Sequence, residues 1–279
     1  DPARDGARRG DGVPAPHRRV ERKQEQPHLM QIARRTGTHH LVPPLLWTKL
    51  REQRQQLAAN QGGSEVLNSD GQLTAMPALT DIDKAGEALR KAKAPRIHTF
   101  ISTSPVHMKH KLKMGPNAVL EAIGASVTHS RKFAGDVEWS AEDATRTEFD
   151  FLCKAIEVAI HSGATVINVP DTVGYSHPAE YGALFRRLIE NIPDSDKVIW
   201  STHCHNDLGL AVANSLAGVM NGARQIECTI NGIGERAGNA ALEEAVMALK
   251  VRGDSLPFYT EIVTPKLSRA SKMVSSITG

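Results

Sequence analysis

Two histidines separated by one residue, in Thr202-His203-Cys204-His205-Asn206-Asp207, are the sharpest chemical feature of the chain. Alternate side chains of an extended strand share a face, so His203 and His205 point one way and Cys204 the other. Two neutral imidazoles on one face can chelate a divalent ion such as Zn, Mn, Fe or Co, and added oxygen ligands favour harder ions. Cys204 then reads as a packed thiol. The alternative reading is a pair of hydrogen-bonded histidines closing a buried strand.

A second segment, Asn231-Gly232-Ile233-Gly234-Glu235-Arg236-Ala237-Gly238-Asn239, has three glycines that allow close backbone approach and positive φ. Its spacing does not match the dinucleotide-binding fingerprint. Asn239 offers a carbonyl oxygen to a metal or a cap to the following helix. Glu138, inward by alternation, is a candidate base or substrate clamp, or else the ion-pair partner of Arg96 or Arg236. Thr172 can bind a substrate carboxylate or serve the turn after Pro170-Asp171. Glu142 and Asp143 read as a helix-start pair near Ser140. His107, His110, His129, His161 and His177 read as surface residues without a role.

These groups need elements to converge them. Short apolar runs at 97–101, 137–139, 165–169, 198–200 and 225–230 read as strands. Helical spacing at 81–93, 149–160, 181–192, 210–220 and 242–250 lies between or after them. Strands alternating with helices imply a parallel sheet covered on both faces. Periodicity leaves a closed barrel and an open doubly wound sheet equally possible. In either, the C-terminal strand ends carry the active site, where the polar residues gather.

The chain has 279 residues, 40% hydrophobic and 23% charged, enough for a sizeable core without disulfides. Aromatics at 4% exclude a stacking-based nucleic-acid binder. The three cysteines cannot form a disulfide framework, which points to a reducing, cytoplasmic setting. No apolar run suggests a membrane span, and no signal peptide is recognisable. Residues 1–56 carry 12 Lys/Arg against 6 Asp/Glu, with six prolines, so the rest is net negative. Residues 1–70 therefore read as an irregular basic segment, with a short helix at 49–59.

Together the stretches Arg96-Ile97-His98-Thr99-Phe100, Val137-Glu138-Trp139-Ser140, Asn168-Val169-Pro170-Asp171-Thr172-Val173-Gly174, His203-Cys204-His205-Asn206-Asp207 and Asn231 to Asn239 resemble the 2-isopropylmalate synthases. The wider family of metal-dependent barrels includes homocitrate and citramalate synthases and acyl-CoA lyases. The resemblance implies an α/β fold, a (β/α)₈ TIM barrel, with these five strands as its fourth to eighth. It implies His203, His205 and Asn239 as metal ligands, and His98, Glu138 and Thr172 around a 2-oxo acid, with Glu138 and His98 as the catalytic pair. Its cofactor would be a divalent metal ion (Mn or Mg, Zn as an alternative), and acetyl-CoA its co-substrate. The reaction would be the condensation of acetyl-CoA with 2-oxoisovalerate in leucine biosynthesis, by a homodimer with no membrane or nucleic-acid partner. The family's opening Asp-Thr-Thr-Leu-Arg-Asp-Gly-Glu-Gln strand, with a further ligand and an arginine, has only an echo in Arg4-Asp5-Gly6. The barrel is thus expected to be incomplete at its N-terminal end, its third strand surviving only at 72–79. Residues 71–252 form the expected catalytic unit and 253–279 the start of a linking subdomain. The alternative functions are a non-catalytic or damaged remnant of that enzyme, or a homocitrate or citramalate synthase or acyl-CoA lyase of the same family.

Overall fold

The computed structural model describes residues 66–67, 73–74 and 79–278. The expected basic segment and the helix at 49–59 lie outside the described residues. A two-residue antiparallel pair comes first, β1 (Val66–Leu67) with β2 (Leu73–Thr74). It is separate from the main sheet, and most of the stretch 72–79, where a third barrel strand is expected, lies outside the described residues. Pro77 lacks the N–H a ladder needs, and Leu79 already opens helix α1 (Leu79–Leu89).

Five parallel strands follow: β3 (Arg96–Ser102), β4 (Asp136–Glu142), β5 (Val166–Asp171), β6 (Ile199–Cys204) and β7 (Gln225–Glu227). They pair in sequential order, β3-β4-β5-β6-β7. Helices α2 (Pro116–Ser130), α3 (Phe149–His161), α4 (Pro178–Asn191) and α5 (Ala211–Met220) cross over between them, and α6 (Leu242–Val251) and α7 (Leu267–Thr278) follow. Proline opens α2 and α4, where the missing N–H needs no partner.

The order shows no reversal, which excludes a doubly wound sheet. A flat five-stranded sheet would hold its edges about 19 Å apart, at ~4.8 Å per step. Yet Arg96 on the first edge donates to Gln225 on the last at 2.6 Å. The sheet is therefore curled into an arc of a barrel, with the inward side chains meeting across its lumen.

The outward side chains make the core. Val137, Trp139, Ile167, Val169 and Trp200 pack against Leu152, Ile156, Tyr181, Phe185 and Leu188 of the helices. In α3 the buried set Leu152, Ala155, Ile156, Ala159 and Ile160 keeps the three-and-four spacing of one helical face. Each large apolar side chain so buried is worth ~1.5–3 kcal/mol. Cys204 lies in this layer as expected, and burial pushes its thiol up to about 12, as it does that of Cys228. Iodoacetamide at pH 8 is expected to leave both unlabelled until the protein is unfolded in urea. Mass spectrometry showing rapid native labelling of Cys204 would contradict this packing. Among the described residues, no helix is long and apolar enough to cross a membrane.

Candidate functional site

The inner face of the arc is polar because each strand alternates. Arg96 and His98, Glu138 and Ser140, Asn168, Ser201 and His203, and Gln225 and Glu227 all face the lumen and bond to one another across it. They form two layers. In the lower one, Arg96 Nη1 donates to Glu138 Oε2 at 3.0 Å, and Gln225 Nε2 donates to Glu138 Oε1 at 2.8 Å and Ser201 Oγ at 3.0 Å. Glu138 thus points inward as expected, and Arg96 rather than Arg236 is its ion-pair partner.

The upper layer holds His98, Ser140, Asn168, His203 and Glu227. His98 Nε2 lies 2.6 Å from Ser140 Oγ, which also accepts from Asn168 Nδ2 at 2.9 Å. Asn168 Nδ2 donates to Glu227 Oε2 at 2.8 Å, and His203 Nδ1 lies 2.8 Å from the same oxygen. Burial pushes the Glu138 carboxyl up, and the neighbouring Glu227 charge adds to this. Burial would raise Glu227 too, but its hydrogen bond with His203 and the nearby imidazoles hold it down. Their environments therefore push the two carboxyls apart, Glu138 up and Glu227 down.

At the rim the two histidines converge: His203 Nε2 and His205 Nε2 are 3.1 Å apart. Glu227 can only accept, so His203 carries its proton on Nδ1 and presents a lone pair at Nε2. Burial, then the His203 neighbour, lowers the pKa of His205 and keeps it neutral. Two nitrogens bound cis to one ion at ~2.1 Å lie about 3.0–3.4 Å apart. The pair fits a shared divalent cation.

Asn239 completes the set. Its backbone bridges that of His205, and its Nδ2 donates to Ile233 O at 3.2 Å. Its Oδ1 is buried without a partner. An orphaned carbonyl oxygen on the residue whose backbone pairs with that of His205 suits a hard cation. The capping alternative fails: α6 starts after Ala241, with no side-chain cap. The loop's glycines are needed where it folds on itself. Gly238 has φ 95°, and a Cβ there would fall on the Gly232 carbonyl oxygen. Arg236 ties the loop to the ligand strand, bonding both Asp207 oxygens at 2.8 Å and Thr172 O at 2.8 Å.

Thr172 is at the rim, its Oγ1 accepting from the Asp143 backbone N–H at 2.9 Å. Glu142 and Asp143 are not a helix-start pair. Glu142 ends β4 and accepts from Ser102 and Lys111, while buried Asp143 turns the chain at φ 65° and binds Arg146. The α3 helix begins only at Phe149, because 143–148 are used by this turn. Four histidines read as idle surface residues have partners, among them His161, whose Nε2 lies 3.8 Å from Asp194. His107 Nδ1 is buried, 3.7 Å from Asp143; His129 meets Asp83 at 2.6 Å; and His177 caps α4.

The sequence reading did not single out Asn168, Gln225 or Glu227. The signal was there, since Gln225 and Glu227 are polar residues two apart in an apolar run, as His203 and His205 are. His98, Glu138 and Glu227 also bring three potential ligand atoms within 4.8 Å of one another. Both Glu138 oxygens are already engaged by Arg96 and Gln225, so this cluster is an internal network rather than an ion site.

The HMGL-like family model matches residues 55–274. The chain is 66% identical over 205 residues to a 2-isopropylmalate synthase of Caulobacter vibrioides, covering 74% of this chain and 39% of that protein. It is 65% identical over 198 residues to one from Bradyrhizobium sp., covering 71% and 38%. The alignment thus spans well under half the length of these relatives. In three dimensions it resembles an HMG-CoA lyase from Acenitobacter baumannii, with a TM-score of 0.59 at 20% identity, over 72% of this chain and 66% of that one. That likeness shows the barrel fold alone. With matched sequence over most of its length and the curled parallel sheet, the chain belongs to the HMGL-like family as a homologue of 2-isopropylmalate synthases.

Proposed function

We propose that this chain carries the catalytic unit of a 2-isopropylmalate synthase. The reaction would condense acetyl-CoA with 2-oxoisovalerate, the first committed step of leucine biosynthesis. One observation carries the reading: the 3.1 Å approach of His203 Nε2 and His205 Nε2, with an unpartnered Oδ1 on Asn239, whose backbone pairs with that of His205. His203, His205 and Asn239 would hold the ion, with Mn or Mg favoured by the oxygen ligand and Zn as the alternative. When bound, a divalent ion supplies Lewis-acid polarisation of a 2-oxo acid carbonyl.

The chain's own residues do the rest. Thr172 uses its Oγ1 lone pair on the Asp143 N–H, leaving its hydroxyl proton for a substrate carboxylate. His98 and Ser140 line the lumen side of the 2-oxo acid. Glu138, anchored by Arg96 and Gln225 and with its carboxyl pushed up by burial, would hold a proton within the lumen network. Removal of a methyl proton from acetyl-CoA makes the carbon nucleophile, which attacks C2 of the oxo acid. Hydrolysis of the thioester then frees CoA. Residues 71–252 would be the catalytic unit and 253–279 the start of a linking segment, in a cytoplasmic homodimer.

The test is release of free CoA thiol from acetyl-CoA on adding 2-oxoisovalerate. Mn- or Mg-dependent release is expected, with none when the ion is chelated. No release at saturating ion and substrates would overturn the proposal. The binding-only alternative would then stand if the chain still took up the ion.

A further inference from the structure

We infer that Glu227 is the positioning residue of the ion site: it holds His203 in the one tautomer that turns its Nε2 lone pair toward the point shared with His205. The inference rests on the reading that these histidines share a divalent ion.

A neutral imidazole has one donor nitrogen and one acceptor nitrogen. Either tautomer of His203 is available in solution, and only the one protonated at Nδ1 ligates through Nε2. Glu227 Oε2 lies 2.8 Å from Nδ1, and a carboxylate there selects that tautomer. Metal-bound histidines are commonly oriented by such an outer carboxylate, which also raises the basicity of the ligating nitrogen. Glu227 is itself fixed. Asn168 Nδ2 donates to the same oxygen at 2.8 Å, and β7 holds Glu227 in register opposite His203 on β6. The side chain is largely shielded from water, so the bond to Nδ1 faces little competition.

Glu227 also faces the second functional group of the lumen. Its Oε1 is 3.6 Å from His98 Nδ1. Through Asn168 and Ser140 the same carboxylate is tied to the opposite ring nitrogen of His98. One acidic side chain therefore sets the orientation of an ion ligand and borders a residue placed in the substrate pocket.

The test combines Mn²⁺ titration by calorimetry with ¹⁵N NMR of the histidine rings, on the chain as expressed. The unsubstituted chain is expected to bind Mn²⁺ and to show His203 protonated at Nδ1. In Glu227→Ala, affinity is expected to fall ~10–100-fold and the ring to become a mixture of tautomers. Glu227→Gln keeps an oxygen able to accept from Nδ1, so it should restore the single tautomer and most of the affinity. Packing alone would not predict that rescue or move the tautomer signal. Wild-type affinity and tautomer in Glu227→Ala would overturn the inference while leaving the ion site intact. No Mn²⁺ binding by the unsubstituted chain would overturn the ion-site reading and this inference with it. If Glu227→Ala does not fold, Glu227→Gln decides: a tautomer mixture there also overturns it.

Discussion

A chain carrying both His203→Ala and His205→Ala is expected to lose divalent-ion affinity by at least ~100-fold, more than displacing an orienting partner alone would do. The reason is geometric. The two Nε2 atoms approach to 3.1 Å, and with no proton available from His203 Nε2 that contact is filled either by a proton on His205 or by an ion. Each single substitution removes one of the two imidazole nitrogens that approach to 3.1 Å. Each is therefore expected to lose most of the affinity. Ion binding should weaken in acid as the imidazoles take up protons. His205 has its pKa lowered by burial and by His203, so it keeps its ligating form below the usual histidine range. Calorimetric titration with Mn²⁺, read alongside the circular dichroism melt, checks the point. Unchanged affinity in the double variant with an unchanged melt would end the ion-site proposal.

The second large effect is on stability. Arg96→Ala is expected to destabilise the fold by ~1.5–3 kcal/mol at pH 8.5, because the buried Glu138 carboxyl loses the guanidinium that holds it down and must stay charged without a cation or take up a proton. Arg96 is 9% exposed and Glu138 3%, so water does little to replace the lost partner. Arg96 also bonds Asp136 at 2.8 Å and Gln225 at 2.6 Å, the latter joining the two edges of the curled sheet. The cost should shrink toward pH 5.5. Glu138 has a folded-state pKa raised to about 8 by burial, against an ordinary 4.5. A group raised in this way stabilises the fold most below its unfolded pKa, and the contribution is lost as pH rises through the folded value. At pH 5.5 the carboxyl is neutral and the missing guanidinium leaves no naked charge. Glu138→Gln imitates the neutral form, so it should flatten the loss of stability between about pH 4.5 and 8 and offset part of the Arg96→Ala cost. Urea denaturation of the four members of the cycle, at both pH values, measures the coupling. An Arg96→Ala cost that is the same at both pH values, or undiminished in the Glu138→Gln background, would show that the pair does not act as described.

Residue patterning alone accounts for the βα alternation, the five strands of the sheet and the shared face of His203 and His205. These are local consequences of period-two and period-3.6 patterning, and all were found within a few residues of their expected bounds. It also located the Asn239 loop by its glycines, but not the use to which Asn239 is put. The fold removes the cap, since α6 starts after Ala241 without one, and leaves the Asn239 oxygen unpartnered. Curvature likewise lies beyond periodicity. The unreversed strand order and the contact of Arg96 with Gln225, 129 residues apart, show an arc closing on itself. The partners of Glu138 and the bond between Glu227 and His203 follow from that closure, because they join strands whose sequences hold no record of one another. A local pattern tells a side chain which way to face; which group it meets is fixed by how far the sheet bends.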